Sequence, residues 1–275
     1  MTAEGPMPMD QVTRYRTIWI SDVHLGTRAC NANLLLDFLK HTDSDTLYLV
    51  GDIVDGWRLK KSWYWPQQHN DVIQKLLRKA RKGTRVLYIP GNHDEAARQF
   101  VGQNFGDVDV ADDCIHETAD GRRFLVIHGD QFDVVVRYAK WLAHIGDKAY
   151  ELLLHTNTAL NIVRRRLGFS YWSLSAYMKQ RAKRAVEFVG RFELALVEEA
   201  RRRGVDGVIC GHIHTAELKD MQGMTYVNDG DWVESCTALV EHDDGRLEIL
   251  HWADIVAARD AVATPEPALK PQRAA

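Results

Sequence analysis

Short hydrophobic runs alternate with amphipathic stretches along the first hundred residues of the chain. The runs at about Tyr15–Ser21, Thr46–Val50 and Arg85–Ile89 are rich in β-branched and aromatic residues, and they predict buried strands. Between them, Asn31–His41 and Asp71–Lys82 carry apolar residues at helical spacing and predict helices. Strands that alternate with helices are typical of a layered α/β fold.

The pattern changes after this region, because short apolar runs then follow one another with only turns between them. These predicted strands are Val108–Val110, Cys114–Glu117, Arg123–His128, Val205–Cys210, Met224–Asn228, Ser235–His242 and Leu247–Trp252. We expect them to form a second sheet with antiparallel or mixed pairing that packs face to face with the first. The predicted fold is therefore an α/β, two-sheet β-sandwich flanked by helices.

Several segments depart from the pattern of the sandwich. Residues 1–14 and the Ala- and Pro-rich residues 256–275 predict disordered ends, which leaves a domain over residues 15–255. Residues from about 132 to 203 are nearly free of Gly and Pro and rich in Leu, Ala, Arg and aromatics, so they predict two to four inserted helices. The aromatic segment Trp57–Asn70 predicts a loop.

Hydrophobic runs repeatedly end in Asp, His or Asn. The five clusters are Asp22-Val-His24, Gly51-Asp52-Ile-Val-Asp55, Gly91-Asn92-His93-Asp94, His128-Gly129-Asp130 and Gly211-His212-Ile-His214. Residues two apart in an extended segment point the same way, and α/β folds bind ligands at the carboxyl ends of their strands. The clusters therefore predict one shared site.

The residue types in these clusters are those of a metal site. The candidate ligands are Asp22, His24, Asp52, Asn92, His128, His212 and His214. Together they suffice for two divalent cations that share Asp52. Mixed oxygen and nitrogen ligation without thiolate favours Mn²⁺, with Fe²⁺ or Zn²⁺ as alternatives. Two such cations can grip the oxygens of a phosphate and activate water for phosphoester hydrolysis.

In their order and content, the five clusters resemble the calcineurin-like metallophosphoesterase superfamily over roughly Arg16–Trp252. The resemblance implies that one metal is bound by Asp22, His24, Asp52 and His214, and the other by Asp52, Asn92, His128 and His212. It also implies that His93 is the general acid near the leaving group and that Asp94 orients it. Asp55 would support the site without binding a metal.

The helical insertion and the segment around Asn228–Ser235 resemble the UDP-2,3-diacylglucosamine pyrophosphatase group of this superfamily. That group differs in having Arg where His93 stands here, and a sibling branch resembles a Mn²⁺-dependent bacterial phospholipase C. We therefore favour phospholipase C-type release of head groups from glycerophospholipids. The alternatives are the UDP-2,3-diacylglucosamine diphosphatase reaction of lipid A synthesis, a soluble nucleotide phosphodiesterase, and a metal-free binding protein of the same fold.

Charge is distributed unevenly along the chain. A net charge of −3 and a pI near 6.5 argue against a nucleic-acid partner, whereas residues 131–191 carry a local charge of +7. We expect this insertion to hold a lipid substrate at an anionic membrane surface. The candidate contacts are Arg137, Arg164, Arg165, Arg166 and Lys179 for phosphate, and Trp141, Tyr171 and Trp172 at the interface.

The expected location follows from what the sequence lacks. The first 17 residues contain no apolar stretch typical of a signal peptide, and no run approaches the roughly 18 apolar residues of a membrane span. The four scattered cysteines are typical of reduced thiols. We expect a cytoplasmic protein, peripheral on the inner face of the bacterial cytoplasmic membrane, and the sequence leaves its oligomeric state open.

Overall fold

The computed structural model describes residues 12–135 and 189–263. In chain order, the strands are β1 (Thr13–Ile20), β2 (Thr42–Val50), β3 (Arg85–Ile89), β4 (Asn104–Phe105), β5 (Val108–Val110), β6 (Cys114–Glu117), β7 (Arg123–Val126), β8 (Gly207–Cys210), β9 (Glu217–Met221), β10 (Met224–Asn228), β11 (Thr237–Glu241) and β12 (Leu247–His251). The helices are α1 (Ala32–His41), α2 (Gly56–Lys61), α3 (Gln67–Arg81), α4 (residues 189–202) and α5 (Trp252–Ala263). Short 3₁₀ helices span Glu95–Phe100 and Asp130–Val135.

The strands form two sheets. The first has the order β12-β11-β1-β2-β3-β5-β4, and the second has the order β6-β7-β8-β10-β9. Within the first sheet β1, β2, β3 and β5 are parallel, and within the second β7, β8 and β10 are parallel. Parallel neighbours bring their carboxyl ends to one edge, so the polar clusters that follow β1, β2 and β3 lie side by side.

The two sheets pack face to face through a shared apolar layer. Trp19 and Leu87 of the first sheet belong to the same buried cluster as Phe124, Ile209 and Val227 of the second. Trp19 also stacks on the ring of Tyr48, with ring centroids 5.5 Å apart. The predicted two-sheet sandwich flanked by helices is confirmed.

Helices cover the outer faces of both sheets. Phe38 of α1 and Val72 of α3 are fully buried against the outer face of the first sheet. Phe192 and Leu196 of α4 are fully buried with residues of the second sheet. In the described residues, none of the helices is both long enough and apolar enough to cross a bilayer.

The assignment of strands to sheets differs from the prediction. The segments that form β5, β11 and β12 were expected in the second sheet, but they lie in the first. The strand β11 pairs antiparallel with β1, so that Ile18 lies opposite Val240. A buried strand has the same apolar pattern in either sheet, and only the tertiary pairing decides which one it joins.

Three boundaries also differ. The predicted disordered ends are wrong over residues 13–14, which belong to β1, and over residues 256–263, which belong to α5. The predicted loop Trp57–Asn70 contains α2 and the first turn of α3. Side-chain contacts explain α5, because Trp252 Nε1 and Arg259 Nη2 donate to Asp37 at 2.9 and 3.0 Å. The predicted helical insertion lies largely outside the described residues.

Candidate metal centre

Loops at one edge of the sandwich bring the polar clusters of both sheets together. Asp22 and His24 follow β1, and their backbone N–H groups donate to the carbonyls of Gly51 and Asp52 at 3.0 and 2.9 Å. From the second sheet, the ring of His128 approaches the first through Nδ1, which lies 2.9 Å from the carbonyl of Val50. The site is therefore built where the two sheets meet.

A first group of side chains gathers around Asp22. Its Oδ1 lies 3.0 Å from Nε2 of His214 and 3.6 Å from Nε2 of His24. Nε2 of His24 also lies 3.8 Å from Oδ2 of Asp52. Three acidic or imidazole atoms, from Asp22, His24 and His214, lie within 4.8 Å of one another, a geometry that suits a divalent cation.

A second group lies on the other side of Asp52. Oδ1 of Asp52 is 3.6 Å from Nε2 of His128, and His212 completes a group whose ligand atoms lie within 4.8 Å of one another. Asp52 thus faces His24 with one carboxylate oxygen and His128 with the other. The carboxylate has the placement required to bridge two cations.

The donor atoms of this centre are buried yet form no hydrogen bond. Such atoms normally have partners, because a buried polar group without one is costly. The atoms are Asp22 Oδ1, His24 Nε2, Asp52 Oδ2, Asn92 Oδ1, His128 Nε2 and His214 Nε2. The Asp and His atoms among them belong to residues of the groups described above, which fits a pair of divalent cations.

The backbone of the centre is strained in a consistent way. Asp22, His24, Asp52, His212 and His214 all have positive φ angles, between 49° and 74°. Residues other than glycine adopt this left-handed region rarely, and Asp, Asn and His tolerate it best. Such conformations cost about 1–3 kcal/mol each and cluster at functional sites.

Comparison with known proteins identifies the family. The sequence model of the calcineurin-like phosphoesterases matches residues 15–216. The chain belongs to this family. As a calcineurin-like phosphoesterase it is a metal-dependent phosphoester hydrolase, and the family implies a dinuclear site of divalent metals, for which the two groups above contain candidate ligands.

Relatives of this phosphoesterase share one name. The UDP-2,3-diacylglucosamine hydrolase of Xanthomonas oryzae pv. oryzae is 27% identical over 241 residues, covering 83% of this chain and 96% of that protein. The protein of the same name from Chromohalobacter salexigens is 28% identical and covers 78% of this chain and 88% of its own length. Among solved structures, a Vps29 single mutant from Entamoeba histolytica has a TM-score of 0.41 and 16% identity, covering 85% of this chain and 96% of that chain.

Carboxylates and imidazoles in the phosphoesterase site shift the pKa values of one another in favour of their charged forms. Burial acts to raise the pKa of Asp22, but His214 and His24 outweigh it and hold that pKa well below its usual range. Burial acts to lower the pKa of His24, yet Asp22 and Asp55 raise it to about 9. In the same way Asp52 raises the pKa of His128 to about 10 against the effect of burial. Cations that bind here must therefore displace protons from imidazoles.

The contacts of His93 correct one prediction. Nδ1 of His93 lies 3.0 Å from Oδ1 of Asp55, and Nε2 lies 4.0 Å from Oδ2 of Asp52. Asp94, expected to orient His93, instead accepts hydrogen bonds from the backbone N–H groups of Gly91 and Ile53 at 2.6 and 2.8 Å. Asp94 holds two loops together, and Asp55 is the carboxylate that lies beside Nδ1 of His93.

Several residues near the centre had no role in the sequence-based prediction. The hydroxyl of Ser21 contacts Asp22 and Asp229 at 2.8 and 2.6 Å. Asp231 accepts from the backbone N–H groups of Val233 and Glu234 and lies 3.9 Å from Nδ1 of His214. The Asn228–Ser235 segment resembles the UDP-2,3-diacylglucosamine pyrophosphatase group, but its sequence does not indicate that it packs against Asp22.

The predicted substrate contacts cannot be placed. They are Arg137, Trp141, Arg164, Arg165, Arg166, Tyr171, Trp172 and Lys179, and all of them lie outside the described residues. Among the described residues, Trp57 lies beside the candidate centre, with its ring centroid 4.3 Å from that of His93.

Proposed function

We propose that this phosphoesterase hydrolyses the diphosphate bond of a UDP-2,3-diacylglucosamine-type lipid with two divalent cations. The observation that carries the catalytic part is the pair of ligand groups that meet at Asp52. The substrate part is supported by relatives named UDP-2,3-diacylglucosamine hydrolase that align over 78–83% of this chain. They favour this substrate over the phospholipase C activity that the sequence alone favoured.

In this proposal each cation has four protein ligands. One would be held by Asp22, His24, Asp52 and His214, and the other by Asp52, Asn92, His128 and His212. Their mixed oxygen and nitrogen character supports Mn²⁺ as the native ion, with Fe²⁺ or Zn²⁺ as alternatives. When bound, the cations supply Lewis acidity toward the phosphoryl group and toward water.

The protein contributes orientation and a proton donor. Asp55 fixes the ring of His93 through Nδ1, which leaves Nε2 directed toward Asp52 and the shared edge of the two metal sites. From this position Nε2 can donate a hydrogen bond to the departing phosphate oxygen, and it can donate a proton where the leaving group is more basic. The ring of Trp57 covers one side of His93 and limits the access of water to it.

Phospholipase C-type hydrolysis is a second candidate, and one observation favours it. Hydrolysis of a diphosphate releases a phosphate, which is a good leaving group and needs little protonation. Release of diacylglycerol breaks a bond to an alkoxide, which requires a proton. A histidine that is held by Asp55 and poised to donate suits that second reaction.

The deciding experiment is a substrate panel with purified, Mn²⁺-loaded protein. We expect release of UMP from UDP-2,3-diacylglucosamine in detergent micelles at a rate well above that with phosphatidylcholine, cAMP or bis(p-nitrophenyl) phosphate. Release of phosphocholine with no release of UMP would establish the second candidate instead. Activity only on the small esters would refute both lipid substrates.

The two metal sites have their own test. Asp52→Asn should lower the amount of Mn²⁺ bound at both sites, measured by plasma mass spectrometry. It should also reduce turnover at least about a thousandfold. Asp113→Asn, a change at an acidic residue paired with Arg203 away from the centre, is the control. Full metal content in Asp52→Asn would contradict the shared site.

The proposal extends to where the reaction occurs. A substrate with two acyl chains resides in a bilayer, so the protein would act peripherally, on the inner face of the cytoplasmic membrane. The insertion at about 132–203, with its local charge of +7 between residues 131 and 191, would cap the site and contact the lipid. A variant in which a short linker replaces residues 136–188, so that α4 stays in place against the second sheet, should lose activity on the lipid and retain activity on small esters.

A further inference from the structure

An aromatic and basic surface lies beside the metal centre, outside the inserted helices. We call residues 56–65, which comprise α2 and the four residues after it, the α2 platform. Trp63 is 76% exposed, the most exposed large apolar side chain of the described residues, and Trp57 is 42% exposed. Exposed indole rings grouped in this way mark interaction surfaces rather than ordinary solvated positions.

The platform carries three exposed cations that form no ion pair within the described residues. Arg58, Lys60 and Lys61 are exposed, and the sequence has no acidic residue between Gly56 and Asn70. None of the three forms an ion pair with a residue that the structure describes. Some other exposed arginines do form such pairs. The examples are Arg14 with Asp45 and Arg203 with Asp113.

Contacts on its inner side attach the platform rigidly to the catalytic loops. Leu59 packs on Gly26, where an added Cβ would lie 2.8 Å from its Cγ. Asp55, which contacts His93, also accepts a hydrogen bond from the backbone N–H of Arg58 at 2.8 Å. The backbone N–H of Gly56 donates to the carbonyl of His93 at 2.9 Å.

The residues after α2 are held in the same way. Trp65 packs against the main apolar core of the first sheet. The guanidinium of Arg28 lies over the ring of Tyr64 at 4.9 Å, which adds a further cation at the edge of the platform. Trp63 precedes these two residues in the chain, and their contacts hold the backbone beside it in place. Its side chain remains exposed.

We propose that the α2 platform docks the protein on an anionic lipid bilayer. Charge complementarity supports this occupant, because Arg58, Lys60 and Lys61 are exposed cations without an ion pair among the described residues, on a chain whose net charge is −3. Lys and Arg side chains bind anionic headgroups, and tryptophan prefers the interface between headgroups and acyl chains. With Trp57 against His93, a docked bilayer lies beside the metal centre. The benefit for catalysis rests on the proposed function, whereas the docking does not.

Vesicle binding by the full-length protein tests the proposal. We expect the wild type to co-sediment with vesicles that contain phosphatidylglycerol and to bind pure phosphatidylcholine weakly, with affinity that falls as salt rises. A triple variant with Arg58→Gln, Lys60→Gln and Lys61→Gln should bind anionic vesicles about a hundredfold more weakly, on the order of fivefold per cation. Trp63→Ser should weaken binding to both vesicle types.

The chain offers matched controls for both changes. Arg78→Gln, Arg81→Gln and Lys82→Gln remove three exposed cations at the far end of α3, about 20 Å along the helix axis. Phe105→Ser removes another exposed aromatic ring, on β4. Both controls should bind like the wild type. Thermal melting by circular dichroism checks that every variant is folded.

Three outcomes would overturn the docking. They are wild-type binding by the platform variants, an equal loss in the α3 control, and a dimer that dissociates in Trp63→Ser without any vesicle binding. Hydrolysis of the lipid in detergent micelles by the wild type, which needs no bilayer, tests the proposed function separately.

Discussion

His93 and Asp94 are neighbours in the chain, but their side chains have different partners. His93 is held by Asp55, whereas Asp94 is bound to backbone N–H groups at Gly91 and Ile53. We therefore expect His93→Ala to slow esters with poor leaving groups about 10²–10⁴-fold and p-nitrophenyl esters far less, since a good leaving group needs no proton. The measurement is kcat/KM over a series of leaving groups.

Two further variants separate positioning from proton transfer. Asp55→Asn should shift the leaving-group dependence in the same direction as His93→Ala, by a smaller factor. Asp94→Asn should instead lower the melting temperature and leave the dependence unchanged, because burial raises the pKa of this carboxyl and its contacts are structural. If His93→Ala lowered kcat/KM equally for all leaving groups, His93 would not be the general acid.

Gly91 is required by the space that the ligands occupy. A Cβ at this position would lie 2.4 Å from Oδ1 of Asp52 and 2.6 Å from Nε2 of His128. We expect Gly91→Ala to displace these side chains, to release at least one of the two metal ions and to reduce turnover at least about a hundredfold. Metal content per chain measures the first effect, and Gly190→Ala is the matched control because its added Cβ meets nothing within 4 Å.

At the scale of single residues, the sequence predicts many features of the candidate metal centre but not all of them. The clusters of Asp, His and Asn at strand ends were apparent, and the structure brings them together. The positive φ angles of Asp22, His24 and Asp52 were not apparent, because a left-handed conformation at a non-glycine residue is imposed by surrounding contacts. The partner of His93 was also missed, since the family resemblance implied Asp94 and not Asp55.

At the scale of elements, a buried carboxylate joins three strands of the two sheets. Glu241 of β11 accepts hydrogen bonds from Arg16 and Thr17 of β1 at 2.7 and 2.8 Å, and it lies 2.8 Å from Nε2 of His116 of β6. The backbone N–H of Ala119 donates to it as well, at 2.8 Å. Because β6 belongs to the second sheet, this side chain ties the sheets at the edge opposite the metal centre.

The pH dependence of stability should report this contact. Burial acts to raise the pKa of Glu241, but His116, Ala119 and Thr17 lower it below its ordinary value of 4.5. A carboxyl whose folded pKa is lowered stabilises the fold above its unfolded pKa, and the contribution is lost as pH falls through the folded pKa. Glu241→Gln should therefore destabilise the protein by about 3 kcal/mol at neutral pH. The loss should become smaller at an acidic pH, as the carboxyl of the wild type is protonated in the folded state as well.

Urea unfolding at the two pH values measures this difference. The exposed Glu198→Gln on α4 is the control and should change the free energy of unfolding by less than about 0.5 kcal/mol. A loss in Glu241→Gln that is the same at both pH values would show that the ionised carboxylate contributes nothing specific.

Elements with strong periodicity were predicted well, and elements that depend on distant partners were not. Asn31–His41 was predicted as a helix, and α1 spans Ala32–His41. In contrast, α5 was missed because its stability comes from Trp252 and Arg259 contacting Asp37, more than 200 positions earlier in the chain. Likewise α2 is short, and the contact of its N-cap residue Asp55 with Arg58 has no distinctive signal among aromatic residues.

At the scale of the molecule, the metal centre spans the boundary between the sheets. Asp22, Asp52 and Asn92 follow strands of the first sheet, and His128 and His212 follow strands of the second. Cations held by both sets would cross-link the sandwich and stabilise only the folded state. At free Mn²⁺ a hundredfold above its Kd, the gain is about 2.7 kcal/mol.

Calorimetry with and without a chelator measures this gain. Removal of metal should lower the Tm by several degrees, and readdition of Mn²⁺ should restore it. Asp52→Asn should show little metal-dependent change, because it loses the shared ligand. A Tm that is independent of Mn²⁺ in the wild type would argue that the two sheets are not linked through the cations.

The sequence by itself determined the family, the α/β sandwich and the identity of the clustered polar residues, because strand periodicity and short motifs are local properties of the chain. Only the tertiary structure decided that β11 and β12 join the first sheet, that Asp55 contacts His93, and that the α2 platform adjoins the centre. These features depend on contacts between residues far apart in the chain. Local sequence patterns do not specify such contacts, since the same buried strand can pair with more than one strand and the same acidic residue can bind more than one partner.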